Sequence, residues 1–261
     1  MLVTLMNPPT SLAGRAVSTL RRRLPALFAA AVWPYLLLVS VLIIINIVVR
    51  HMHPVGAPID PTAMWRGMSF LRKLGVIILF VASASVPYGL AMGGTSLLAY
   101  EDYRGGGDSL GGVLKRVMRR TPSLVVLSFL VGCGTFLGSL FFVLPGMLVP
   151  MFTAFAIPVI LLEDAGVETA LRRSMRLAWS RIGTVLVLQL ILGMAGMVVS
   201  FFFSLLIGAT NLEGMAAAVT MWAFLGLSMA VLVCVYGTVV AILYHDIGVS
   251  RGELQPRNVT Q

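Results

Sequence analysis

The chain has 261 residues, 58% of them hydrophobic and 11% charged, with a mean hydropathy of +0.95 and a formal net charge of +9. These values exclude an ordinary soluble domain, in which about a quarter of the residues carry charge, and they make lipid the solvent for most of the chain. The excess of base raises nucleic acid as a partner, but the sequence holds no soluble basic domain to carry it, so nucleic acid is set aside.

In chain order, SLAGRAVSTLRRRLPALF from Ser11 places Arg15, Arg21, Arg22 and Arg23 at the edge of the first apolar run. Residues 25–49 include VWPYLLLVSVLIIINIVV. Such a run is long enough to cross a hydrocarbon core, which takes about 20 helical residues. A barrel strand would alternate apolar and polar with period two, so a helix is the reading. The run also outlasts the apolar core of a cleavable signal, about 7–15 residues, and is read as a retained helix. The proline-rich RHMHPVGAPIDPTAMWRGMSFLRK follows, with a short helix from Pro61 and Trp65 as an interfacial marker. A second span occupies 74–99, where Pro87, Gly93 and Gly94 are placed to kink it and open a lateral cleft.

The glycines at 105–107 lack the strand and lysine of a phosphate loop and read as a hinge. Beyond them, helical spacing puts Leu110, Val113, Leu114, Val117 and Met118 on one face and Lys115, Arg116, Arg119 and Arg120 on the other. Asp108 and Ser109 are suited to capping this helix. Spans at 123–142 and 147–162 are joined by FFVLPGMLVP, where Pro145 and Gly146 are expected to make the turn of a tight hairpin, with a merged, partly re-entrant pair as the alternative. Glu163 and Asp164 end the fourth span, within reach of Arg172 or Arg173, and are read as a structural ion pair or cap. A second amphipathic helix sets Val167, Ala170, Leu171 and Met175 opposite Arg172, Arg173 and Arg176, with Asp164 and Glu168 at its start, where exposed amides favour negative charge. Spans at 183–207 and 215–244 complete the chain before a short polar tail.

Charge sets the topology. With a cytoplasmic N-terminus, fifteen of the 19 Lys and Arg fall in inner segments, and only Arg50, Arg66, Arg72 and Lys73 lie outside. Both termini are therefore expected in the cytoplasm. The three basic stretches from Ser11, Ser109 and Gly166 resemble one another, although Arg15 falls on the apolar side of the shared register. The expected fold is all-α: a polytopic bundle of six spans in three hairpin units, each preceded by a basic interfacial helix, forming one integral membrane domain over 1–261.

Chemistry-bearing patterns are sparse. There is no GxSxG, HExxH or CxxC pattern, and Cys133 and Cys234 fall inside spans as packing residues. His51 and His53 form an HxH pair, but the inferred topology puts the bilayer between them and His245 with Asp246, which excludes one shared metal site. Gln189 and Asn46 are polar within spans and suited to interhelical hydrogen bonds. No catalytic residue, metal or cofactor is indicated.

The run LPGMLVPMFTAFAIPVILLEDAGVETALRRSMRLAWSRIGTVLVL, together with AYEDYRGGGDSLGGVLKRVMRR and AILYHDIGVSRGEL, resembles the membrane domain associated with bacterial glycerophosphodiester phosphodiesterases. The resemblance covers about residues 10 to 253 and implies a location in the bacterial inner membrane. It does not bring the family's catalytic barrel, since this chain lacks that barrel's length, metal-binding carboxylates and paired histidines. The expected function is a non-catalytic membrane module or scaffold that binds anionic lipid headgroups through Lys115, Arg116, Arg119, Arg120, Arg172, Arg173 and Arg176, with a protein partner in the scaffold case. The alternative is a permease for a lipid or small solute, with a central cavity lined by groups such as Gln189 and Ser85.

Overall fold

The computed structural model describes residues 11–52, 66–106, 109–141, 143–209 and 214–252. In chain order its helices are α1 (Leu12–Met52), α2 (Phe70–Tyr103), α3 (Leu110–Arg119), α4 (Thr121–Phe141), α5 (Val143–Phe152), α6 (Ala156–Leu162), α7 (Val167–Ser180), α8 (Ile182–Ala209) and α9 (Gly214–Ser250). Among the described residues there is no strand. Five helices, α1, α2, α4, α8 and α9, contain stretches long and apolar enough to cross a membrane.

Three helices form the centre: α1, α2 and α9 pack on one another, α4 packs on α2, and α5 packs on α4. Small residues let the backbones approach closely, as expected where lipid gives helices no hydrophobic reason to associate. A Cβ at Gly237 of α9 would lie 3.0 Å from the Cβ of Thr95 on α2, and one at Gly89 would lie 2.8 Å from the Cβ of Ser128 on α4. Four residues on, the arrangement reverses: a Cβ at Gly132 of α4 would lie 2.7 Å from the Cβ of Ser85. Gly and Ser thus alternate across the antiparallel α2/α4 contact.

Packing is uneven along the helices. From Ala91 to Tyr100 every residue of α2 is buried, whereas Phe70, Leu71, Leu79 and Phe80 are exposed. In α9 the run from Val239 to His245 is buried. The core therefore sits at the end of the bundle where α2 and α9 finish and α1 begins. Helix α8 lies on the periphery, with Leu190, Ile191, Met194, Met197, Phe201 and Phe202 turned outward.

Two sequence expectations are corrected. The chain reverses before Pro145 and Gly146, which lie in the first turn of α5, where the missing proline N–H leaves no helical bond unmade. The first basic stretch does form its own short helix, the opening segment of α1, which is joined to the first apolar run across a kink at Arg23 (φ −117°, ψ 15°) ahead of Pro25. The expected fourth span is interrupted at residues 153–155, between α5 and α6. Pro158 accounts for the break, because it cannot donate to the carbonyl of Ala154 and its ring crowds that group.

Candidate functional site

The candidate site is the charged end of the bundle, where all three basic stretches meet. Arg15 reaches inward from α1 to make two hydrogen bonds with the Asp246 carboxylate, 3.0 and 2.6 Å, and a third with the Tyr103 hydroxyl, 2.7 Å. This explains its place on the apolar side of the register: Arg15 is the tie between α1, α2 and α9. At the bend, Arg22 and Arg23 both grip Asp102, whose side chain is 6% exposed, with Arg23 Nε donating at 3.0 Å. A buried carboxylate needs such compensation, and two guanidinium groups supply it.

Helix α3 turns its apolar face to the protein, with Val113 and Val117 fully buried. Ser109 caps it, accepting from the Gly112 N–H at 3.3 Å. Asp108 lies outside the described residues. Arg116 donates to Glu101 at 3.0 Å. Arg120 donates through Nε to Asp164 at 3.0 Å, and Arg119 stands 3.7 Å from the same carboxylate. Asp164 has a left-handed backbone (φ 52°), a conformation that Asp tolerates better than most residues, in the turn that leads to α7. The hydrogen bond from Arg120, the charge of that guanidinium and the nearby Arg119 and Arg116 hold the Asp164 carboxyl below the usual carboxylate range. Its partner is thus the second basic stretch, not Arg172 or Arg173, so Asp164 fastens α3 to the α6–α7 turn.

Glu163 accepts from Arg173 Nε at 2.6 Å and from the Tyr244 hydroxyl, joining α7 to α9. Glu168 lies in the first turn of α7, where negative charge suits the helix end, and pairs with Arg172 one turn on at 2.7 Å. That pair is exposed, with both side chains more than three-quarters accessible. Lys115 and Arg176 are also exposed.

The expected apolar face of α7 needs revision. Met175 is 51% exposed and Ser174 is fully buried. The Ser174 hydroxyl donates to the Phe152 carbonyl at 2.8 Å and accepts from the Phe155 N–H at 3.1 Å. It thereby satisfies backbone groups freed where α5 gives way to α6, the condition for a broken helix in an apolar setting.

Other sequence candidates do not converge on this end. His53 and Trp65 lie outside the described residues, as do the side chains of His51 and Asn46. His245 is 3% exposed and packs edge-on to Tyr103, with ring centroids 5.1 Å apart. Its insertion follows from helical spacing, which turns it to the core while Asp246 faces Arg15. Among the described residues, no group of three or more His, Cys, Asp and Glu is placed to hold a metal ion. Ser85 and Gln189 do not share a central cavity. Ser85 lines one space between α2 and α4, and Gln189 lines another beside α8, with Tyr88, Met229 and Tyr236 bordering both.

Clusters of like charge in the sequence do not reveal Asp102, Glu101 and Tyr244, nor the acid that Arg15 meets, and these complete the network. Arg15 offered one signal: a lone cation on an apolar face requires an acid from another segment. Comparison with known families, curated proteins and solved structures finds no match for this chain.

Proposed function

We propose that this protein is a non-catalytic multi-pass membrane module that engages anionic lipid through a basic collar at one end of its bundle. The proposal includes six crossings, the sixth being the interrupted α5–α6, and places both termini on the cytoplasmic side of a bacterial inner membrane. The resemblance to the glycerophosphodiesterase-associated membrane domain accords with this reading. The carrying observation is that three basic stretches, far apart in sequence, gather at a single end of the apolar bundle. The residues of α5 and α6 from Gly146 to Leu162 span about 25 Å as helix, close to the ~30 Å hydrocarbon thickness. The Arg120–Asp164 pair returns the end of α6 to the beginning of α4.

The collar has two sets of cations. Arg116, Arg120 and Arg173 are held by Glu101, Asp164 and Glu163 and act as clasps between helices. Lys115, Arg119, Arg172 and Arg176 are exposed and face the headgroups. At about 1 kcal/mol per cation near an anionic surface, discounted for the acids beside Arg119 and Arg172, this outer set contributes about 2–4 kcal/mol of attraction.

The test uses nanodiscs of phosphatidylcholine with a minority of phosphatidylglycerol, and native mass spectrometry of the lipids retained on release. The wild type is expected to retain phosphatidylglycerol above its bulk fraction, and K115Q/R119Q/R172Q/R176Q to lose that enrichment while staying folded. Retention in bulk proportion by the wild type would sink the proposal.

A further inference from the structure

Two arginines at the charged end stand apart from the clasps. Arg15, Arg22, Arg23, Arg116, Arg120 and Arg173 each meet a carboxylate from elsewhere in the fold. Among the described residues Arg176 and Arg251 form no ion pair, yet they line one cleft of about 560 Å³ with Phe152, Met175 and Trp179. That lining contains no acid. The volume lies within the range of about 300–1,000 Å³ usual for small-molecule sites.

Each wall has a local cause. Met175 and Trp179 are one turn apart on α7, and Arg176 precedes Trp179 by three residues, so the three share one side of the helix. Trp179 stacks on Phe152 at the end of α5, with ring centroids 5.9 Å apart and planes 15° from parallel. Arg251 arrives from the end of α9, where its N–H donates to the Ile247 carbonyl at 3.1 Å and the left-handed Gly252 (φ 69°) stops the helix. Its Nη2 donates to the Arg176 carbonyl at 3.5 Å, a long contact that sets the guanidinium beside α7 and leaves its other donors uncommitted. Arg176, Arg251, Met175 and Trp179 are all exposed, so the cleft is open to a ligand at the level of the headgroups.

Two cations in one cleft repel each other, and a bound anion offsets that cost. A guanidinium takes a phosphate through two parallel hydrogen bonds. A phosphodiester has two unesterified oxygens and a single charge, which one guanidinium satisfies. A terminal phosphomonoester has three such oxygens and a charge of about −1.5 to −2 at neutral pH, enough to engage both. Trp179, Phe152 and Met175 then offer apolar surface to the chain attached to that phosphate, and tryptophan suits the depth at which headgroup meets chain.

We infer that this cleft binds a phosphomonoester lipid of the phosphatidic acid class, its phosphate between Arg176 and Arg251 and the start of its acyl chain against Trp179 and Phe152. This rests on the proposal that the charged end meets the headgroups, and it adds a choice among anionic lipids made by Arg251, which is not among the collar cations. The test places the full chain in phosphatidylcholine nanodiscs with equal minor fractions of phosphatidic acid and phosphatidylglycerol, and counts retained lipids by native mass spectrometry. The ratio of phosphatidylglycerol to phosphatidylcholine reads the collar, and the ratio of phosphatidic acid to phosphatidylglycerol reads the cleft, so each can fail without the other. The wild type is expected to hold one phosphatidic acid with about tenfold preference over phosphatidylglycerol. Arg251→Gln is expected to bring that preference within about twofold of unity while keeping the melting temperature and the enrichment of phosphatidylglycerol; Arg176→Gln should lose the preference as well. Excess glycerol 3-phosphate, which has the phosphate without the chain, should not displace the lipid. Equal retention of the two anionic lipids by the wild type, an unchanged preference in folded Arg251→Gln, or displacement by glycerol 3-phosphate would each overturn the inference.

Discussion

Replacing Asp102 with Asn removes the acceptor charge that holds the bend of α1 against the end of α2. The Asp102 side chain is 6% exposed, while Arg22 and Arg23 are 55% and 37% exposed. Breaking a fully buried ion pair costs about 3–5 kcal/mol, mainly by stranding the remaining charge. Here the charges left behind are half in solvent and can rehydrate, so the lower figure of about 2–3 kcal/mol applies. For a chain of this size the corresponding fall in melting temperature is roughly 4–12 °C. Thermal unfolding of purified D102N in a mild detergent, followed by intrinsic fluorescence, reads this directly. D102E, which keeps the charge, should recover part of the loss. A melting temperature for D102N within about 1 °C of wild type would refute the reasoning, because the two arginines would then be shown to contribute nothing as clasps.

Ser174→Ala strands the Phe152 carbonyl and the Phe155 N–H, and is expected to cost about 2 kcal/mol in the same unfolding assay; no change would mean that the break in the helix is satisfied another way. Gly237→Ala drives a methyl against Thr95 and is expected to cost about 1–3 kcal/mol, whereas Gly193→Ala, with nothing within 4 Å of the new methyl, should stay within about 0.5 kcal/mol of wild type. Equal effects at the two glycines would count against the close α2/α9 approach. The Arg120–Asp164 pair depends on pH. The Asp164 pKa is depressed in the folded state, so the pair stabilises above the unfolded carboxylate value of about 3.9 and is lost as pH falls through the lower native value. Wild type and D164N should therefore differ in melting temperature at pH 7 and converge as the pH falls through the depressed native carboxyl value; a difference that stays constant as the pH is lowered would contradict the assignment.

The five long helices were legible because lipid solvation demands continuous apolar runs, and such runs need no partner to be recognised. The buried faces of α3 were legible for a similar reason, since Val113 and Val117 are marked by periodicity alone. What escaped depends on contacts between distant segments. Nothing near Arg15 indicates that Asp246 will receive it, and the single serine of a basic helix does not announce that Ser174 will mend a break around residue 154. The turn misplaced at Pro145 and Gly146 reflects a real ambiguity, because a proline that suits a turn suits the first turn of a helix equally well. The spaces lined by Ser85 and by Gln189 were not legible either, because they depend on how helices from distant parts of the chain fit against one another, and no local pattern encodes that fit.

The account rests on the three basic stretches sharing one membrane face, and single-cysteine labelling measures this most directly. In a chain with Cys133 and Cys234 replaced by Ala, single cysteines at Ser11, Ser109, Gly166 and Gly67 would be treated with an impermeant maleimide, on intact spheroplasts and again on inverted vesicles. The account predicts that the first three label only in inverted vesicles and that Gly67→Cys labels only in spheroplasts. Labelling of Ser109→Cys and Gly166→Cys from opposite sides would contradict it, because the clasp between Arg120 and Asp164 could not then form across the bilayer.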